Sequence, residues 1–285
     1  MKIRVVTDSA SDLPKQIASE EHLEILPILV YIDGKEYLDG VTIDSDTLYN
    51  AMKSGAEVKT AQIPLSHFID KFREYAQSEA HYLYLAFSSA LSGTYQTAVL
   101  AYESVKEEYP SFNMTIVDTK CVSLGLGILA IEVARMAEEG SSLEAILSYI
   151  EQTKSNMVHV FSVDDLEYLL RGGRVSRSQA IIGNILNIKP ILHVQDGALV
   201  PFEKAKGKKK LLAKLYEYIK DHGGQLDRQV IGIAHTLNEE EALEVKRHFE
   251  TVYGSNKFII NQLGCAVGAH CGPGMITIFF KSKVS

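Results

Sequence analysis

The strongest constraint on this chain is the alternation in its first half. Short apolar, β-branched runs are each followed by a stretch with helical spacing. Ile3–Val6, Tyr82–Phe87 and Met114–Val117 read as strands. Thr94–Tyr109 reads as a helix ended by Pro110, Gly125–Glu139 as a helix closed by Gly140, and Ser142–Lys154 as one more. Strands that alternate with helices pair in parallel through right-handed crossovers. Finer signals sit on this frame. Asp12-Leu13-Pro14 predicts a helix start capped by Asp12, and Ile25–Tyr31 a single strand. Asp33-Gly34 predicts a hairpin returning through Lys35–Leu38. Ser66 is predicted to cap a helix with Phe68, Ile69, Phe72 and Tyr75 on one face.

The second half changes character. Val158–Val163, Lys189–Val194, Ala198–Glu203, Val230–Ala234, Phe258–Asn261 and Met275–Phe280 read as strands, mixed with helices at Leu211–Ile219 and Glu239–Tyr253. The expectation is α/β: a Rossmann-like parallel-sheet domain over residues 1–158 and an α+β domain over 159–285, with a ligand between them. The 285 residues suffice for two domains, and 46% hydrophobic with 23% charged residues is globular composition. A net charge of −7 argues against an extended nucleic-acid surface. Three cysteines, an odd number, give no disulfide framework and suit the cytoplasm. The N-terminus lacks the apolar stretch of a signal peptide, and no segment reaches the ~20 apolar residues of a membrane span, so stable membrane insertion is not expected.

Four clusters carry the chemistry. Phe87-Ser88-Ser89-Ala90-Leu91-Ser92-Gly93-Thr94-Tyr95 joins a strand to a helix start, where free N–H groups suit an anion and Gly93 permits close approach; plain capping also explains these residues. Lys59-Thr60-Ala61-Gln62-Ile63-Pro64 places a hydroxyl on a loop. Gly264 to Gly274 wraps four glycines and Pro273 around His270, whose neighbours Cys265 and Cys271 lack the paired spacing of a zinc site. Arg171 to Arg177, with Lys204, Lys206, Lys208, Lys209 and Lys210, is basic in an acidic chain and suits a phosphate, an acidic partner or plain solvent. There is no P-loop, no nucleophile elbow and no His-Glu-x-x-His. Gly125-Leu126-Gly127-Ile128-Leu129-Ala130 matches the dinucleotide fingerprint in letters but lies beyond a strand end, so small-residue helix packing is the better reading.

Thr7-Asp8-Ser9, Lys59-Thr60-x-Gln62, Ser92-Gly93-Thr94-Tyr95, Val117-Asp118-Thr119, the stretch from Leu166 to Arg174, Lys189-Pro190-Ile191-Leu192 and Gly272-Pro273-Gly274, in this order, resemble the DegV family of bacterial fatty-acid-binding proteins, the acyl-carrying (FakB-like) subunit type of fatty acid kinase. The resemblance runs over nearly the whole chain. It implies a non-enzymatic carrier that encloses one long-chain fatty acid, with no other cofactor and no metal, while a separate ATP-binding kinase subunit phosphorylates the carboxylate for phospholipid synthesis. By motif, Thr60, Ser92, Gly93, Thr94 and His270 would hold the ligand; Arg171 and Lys206 would meet the phosphate or the kinase. Two departures stand out: Ala61-Gln62-Ile63-Pro64 replaces the family's usual Ser-Gln-Pro-Ser, and lysines stand at Lys206 and Lys208 where arginines are common. The competing readings are an NAD(P)-dependent oxidoreductase using Gly125–Ala130 and a dihydroxyacetone-kinase-like enzyme using His270.

Overall fold

The computed structural model describes residues 2–176 and 188–283. In chain order its elements begin β1 (Ile3–Asp8), α1 (Lys15–Glu20), β2 (Glu24–Leu26), β3 (Leu29–Ile32), β4 (Lys35–Leu38), α2 (Ser45–Lys53), β5 (Val58–Ala61), α3 (Leu65–Ala76), β6 (His81–Ala86), α4 (Thr94–Glu108), β7 (Met114–Asp118), α5 (Ser123–Glu138) and α6 (Leu143–Asn156). The chain continues through β8 (Met157–Ser162), α7 (Glu167–Arg171), β9 (Ile188–Gln195), β10 (Ala198–Lys206), α8 (Lys208–His222), β11 (Ile231–His235), α9 (Glu239–Tyr253), β12 (Phe258–Gln262), α10 (Cys265–Cys271) and β13 (Ile276–Lys281).

Two sheets dominate. The first is all-parallel, in the order β2-β1-β6-β7. Its inner strand β6 is buried at every residue, as expected of a parallel strand covered on both faces. The second is a mixed sheet in the order β10-β9-β8-β13-β11-β12, in which β11 and β12 pair in parallel and the rest antiparallel. The expected α/β half and α+β half are both present. Helices α8 and α9 cover one face of the second sheet through Leu215, Ile219, Val245 and Phe249 against Ile276, Ile278 and Phe280.

Helix α5 explains how the two sheets meet. It packs on β1 and also on β8, β11 and β13, and so is buried on almost every side from Ser123 to Ala134. Its small residues make this possible. A Cβ on Gly125 would lie 2.2 Å from His159 Nε2, and one on Gly127 would lie 2.7 Å from Leu13 Cδ2. Neither glycine leaves room for a pyrophosphate, which agrees with the packing reading of this stretch.

Four local expectations fail for identifiable reasons. Ile25–Tyr31 is two strands, β2 and β3, in different sheets, because Pro27 has no N–H to continue a ladder. Asp12 does not cap α1, whose first turn follows Pro14 with no side-chain cap. Ser66 lies inside α3, which also follows a proline, Pro64. Thr60 and Ala61 are not in a loop: β5 pairs antiparallel with β3, and β3 with β4, in a small third sheet. The glycine-rich segment after Gly264 is a short helix, α10, packed against α2, α7 and β5.

Candidate functional site

A cavity enclosing about 750 Å³ of non-atom space, the open solvent at its mouth included, lies between the two large sheets. Its wall draws on both halves: Ala10, Ile28, Phe87 and Leu91 from the first, Phe161, Leu199, Met275 and Phe279 from the second. Most of the lining is aliphatic or aromatic. The polar groups that interrupt it include Thr60, Gln62, Ser92, Arg174 and His270.

Thr60 lies one residue before the end of β5, and His270 sits in the last turn of α10. Their side chains meet, Thr60 Oγ1 lying 2.7 Å from His270 Nε2. On the other side of the imidazole, a Cβ at Gly172 would fall 2.3 Å from Nδ1, so only glycine fits there. Burial, with Arg174 nearby adding to it, holds the His270 pKa down at about 4. The ring is therefore neutral at pH 7, with one nitrogen to donate and one to accept.

Arg174 is the one formally charged side chain among the described lining residues. Its Nε donates to Leu91 O at 3.2 Å and its Nη1 to Gly172 O at 2.5 Å, which leaves further N–H donors for an anion. Burial lowers its pKa from the usual guanidinium value. From the sequence, Arg171 is expected at the phosphate or the partner, and Arg174 has no assigned role. Both belong to one Arg-Gly-Gly-Arg run, and the turn sends them opposite ways: α7 ends at Arg171, Gly173 takes φ +71°, and Arg174 enters the cavity wall. Arg171 stays exposed, stacked on Tyr168 at 4.9 Å and 3.7 Å from Glu167. Lys206 is exposed at the end of β10, and neither cation lines the cavity. Arg177 lies outside the described residues.

Ser92 does line the cavity, and Gly93 and Thr94 stand behind it. Ser92 Oγ and Thr94 Oγ1 are 2.9 Å apart, and Thr94 N donates to Ser92 Oγ at 3.3 Å. The close approach that Gly93 permits is to protein, since a Cβ there would lie 1.9 Å from Gln62 Oε1. Gln62 Nε2 donates to Thr97 Oγ1 at 2.7 Å, and Thr97 Oγ1 donates to Gly93 O at 3.1 Å. This chain of contacts fixes the end of β5 against the start of α4, and so sets Thr60 relative to Ser92.

Three buried carboxylates brace the wall from behind. Asp8 accepts from Tyr84 OH at 2.9 Å, Phe87 N at 3.0 Å and Ala10 N at 3.2 Å; burial raises its pKa to about 6. Asp12 accepts from Gly264 N at 2.8 Å, and burial raises its pKa to about 8. Asp39 accepts from Cys265 N at 2.9 Å and Ala266 N at 3.1 Å, capping α10, and burial raises its pKa too. Cys121, Cys265 and Cys271 are buried free thiols, and burial pushes the Cys121 thiol up to about 12. No group of three or more metal-ligating side chains occurs among the described residues. No helix among them is long and apolar enough to cross a membrane.

This fold and cavity have known counterparts. The family model described as "Uncharacterised protein, DegV family" matches residues 2–283. The chain belongs to the DegV family. A DegV domain-containing protein of Clostridium perfringens is 38% identical over 284 residues, covering 98% of this chain and 97% of that one. A DegV family protein of Thermus thermophilus, whose structure is described by its fatty acid binding, superposes with a TM-score of 0.86 at 30% identity, covering 99% of this chain and 100% of that one. Bacillus subtilis DegV, described as a fatty acid binding protein, gives 0.86 at 28% identity with the same coverage.

Proposed function

We propose that this DegV-family chain binds one long-chain fatty acid in the cavity between its sheets and presents the carboxylate to a separate ATP-binding kinase subunit, for phosphorylation to an acyl phosphate that feeds phospholipid synthesis. One observation carries the reading: an apolar cavity between the two halves gathers Thr60, Ser92, His270 and Arg174 around a few polar positions in an otherwise greasy wall. An alkyl chain contributes ~0.8 kcal/mol per buried CH₂, so roughly a dozen methylenes supply on the order of 10 kcal/mol before association costs. The hydroxyls, the neutral imidazole and the guanidinium orient the carboxylate. Gly93 and Thr94 act through Ser92. Arg171 and Lys206, exposed and outside the cavity, are the candidate contacts for the transferred phosphate or the kinase, because phosphoryl transfer needs positioning and charge neutralisation more than covalent chemistry. The chain is a carrier rather than an enzyme, acts in the cytoplasm, and folds as two domains that part near residue 158 and close over the lipid. The fatty-acid binding described for the Thermus thermophilus and Bacillus subtilis relatives supports the ligand class.

Native mass spectrometry of the purified protein, followed by lipid extraction, tests this directly. One fatty acid per chain is expected. Protein that stays empty and refuses added palmitate or oleate overturns the proposal. Addition of a fatty acid kinase subunit with ATP should then yield acyl phosphate, and its absence with fully loaded protein removes the kinase partnership alone.

A further inference from the structure

The cavity has a mouth and a blind end, and β13 runs from one to the other. Gln62 is exposed and Thr60, Leu91, Ser92 and Arg174 are half-buried, whereas Phe161, Thr277 and Phe279 are each no more than 3% exposed. All of them line the cavity, so the polar group stands at the mouth and the blind end lies toward Phe279. Met275 marks the mouth end of the strand. Its N–H donates to Thr236 Oγ1 at 2.8 Å, and that hydroxyl donates to Gly272 O at 2.6 Å, directly after the helix that carries His270. Phe279 lies four residues further on, about 13 Å along an extended strand. It is held from three sides. Its ladder neighbours are Gly232 of β11 and His159 of β8. A Cβ on Gly232 would lie 3.1 Å from Phe279 Cδ2, and one on Gly125 3.2 Å from Cδ1, so the ring rests against glycine backbone at both edges. The His159 imidazole meets it edge-on, with centroids 5.6 Å apart and planes at 88°. His159 is itself pinned, its Nε2 accepting from Val122 N at 3.3 Å at the entry to α5. Beyond the ring, α5 fills the layer between the sheets, and its Leu124 and Ile128 stand beside Gly232.

We infer that Phe279 is the stop against which the end of the acyl chain rests, and that it sets the longest chain this protein accepts. The inference rests on the fatty-acid reading above and deepens it by naming the residue that selects among chain lengths. An alkyl chain gains about fourfold in affinity for each methylene it buries. That gain ends where the wall does not yield. A ring braced by backbone at two edges and by an imidazole at its side yields less than the free aliphatic side chains elsewhere in the wall. A longer tail must buckle, or push its carboxylate out of reach of Thr60, Ser92 and Arg174.

The test is a series of saturated fatty acids from myristate to behenate, odd chains included, measured by displacement of a fluorescent fatty acid from the full-length protein. In the wild type, affinity should rise about fourfold per methylene up to one length and fall beyond it. Phe279→Ala leaves an apolar space that takes hydrocarbon. It should move the optimum to chains longer by about two to three methylenes, and leave chains well short of the wild-type optimum within about twofold of their original affinity. Met275→Ala, at the mouth end of the strand, should weaken all lengths by a similar factor and leave the optimum in place. If Phe279→Ala does not fold, Phe279→Leu keeps apolar bulk and should move the optimum by about one methylene. An optimum that stays put in the Phe279 variants, or that moves as far in Met275→Ala, overturns the inference. So does equal weakening of every length by Phe279→Ala, or a wild-type series that climbs through behenate without an optimum. Failure of the wild-type protein to bind any member instead overturns the lipid-carrier reading.

Discussion

Gly93→Ala gives a quantitative test of how Thr60 and Ser92 are held together. Gly93 has φ −73° and ψ 0°, which alanine adopts without backbone strain. The obstacle is one side chain: the new methyl would lie 1.9 Å from Gln62 Oε1 and 3.0 Å from its Cδ. The amide must retreat by on the order of 1.5 Å to regain van der Waals contact. That retreat breaks the 2.7 Å bond from Gln62 Nε2 to Thr97 Oγ1. Loss of one partly buried neutral hydrogen bond costs about 1 kcal/mol, and the displaced amide moves within the wall that Thr60 and Ser92 share. Gly93→Ala alone should therefore lower stability by about 1–2 kcal/mol and weaken palmitate retention several-fold. Gln62→Ala alone removes the same bond and should cost about 1 kcal/mol. In the Gln62→Ala background the methyl meets nothing close, so Gly93→Ala should become neutral or slightly stabilising. Urea unfolding of the four proteins should yield a coupling of about 1–2 kcal/mol. Additive effects would show that Gly93 is kept for something other than room for Gln62.

Thr60→Val and Ser92→Ala should each weaken fatty-acid retention about tenfold and leave thermal unfolding within a few degrees of wild type; unchanged retention in both would remove the head-group assignment. Asp39→Ala strips the acceptor from Cys265 N and Ala266 N and should cost about 2–3 kcal/mol in urea unfolding, with His270 proton signals shifted because α10 loses its anchor. Asp12 titrates at 3.8 in its ordinary state and about 8 in the fold, so the folded protein holds a proton between those pH values that the unfolded chain has lost. The stability this contributes is full below pH 3.8 and is lost as pH rises through 8. Asp12→Asn removes that dependence, so its stability relative to wild type should improve between pH 5 and pH 8; an equal difference at both pH values would refute the assignment.

The alternating architecture was legible because it rests on local signals. Tyr82–Phe87, Thr94–Tyr109 and Met114–Val117 each lie within a residue of the observed bounds at either end. Thr60, Ser92 and His270 were legible as polar residues in glycine- and proline-marked segments, and all three reach one cavity. Arg174 had no role assigned from sequence, because it shares one motif with Arg171 and only the φ +71° turn at Gly173 decides which faces inward. Gln62 and Thr97 had no visible role, because their contact depends on a β5–α4 approach that neither local sequence encodes.

Helix α10 shows where a sequence reading ends and why. Seven residues that include Gly268 are too few to hold a helix by propensity alone. Its order comes from carboxylates more than two hundred positions away: Asp39 lies 226 residues from Cys265 and Asp12 lies 252 from Gly264. A Cβ at Gly268 would meet Tyr49 Oη at 2.2 Å, and that hydroxyl donates to Leu263 O at 2.9 Å, so the same segment is gripped from α2 as well. An acid that anchors a distant helix and an acid on the surface look alike in a linear chain. What sets Asp12 and Asp39 apart is burial, which raises both pKa values and makes their hydrogen bonds costly to lose. His270 is a proposed head-group contact, and its position is fixed from the opposite half of the molecule. Loosening Asp39 or Asp12 should therefore impair ligand binding without touching a single residue that lines the polar end of the cavity.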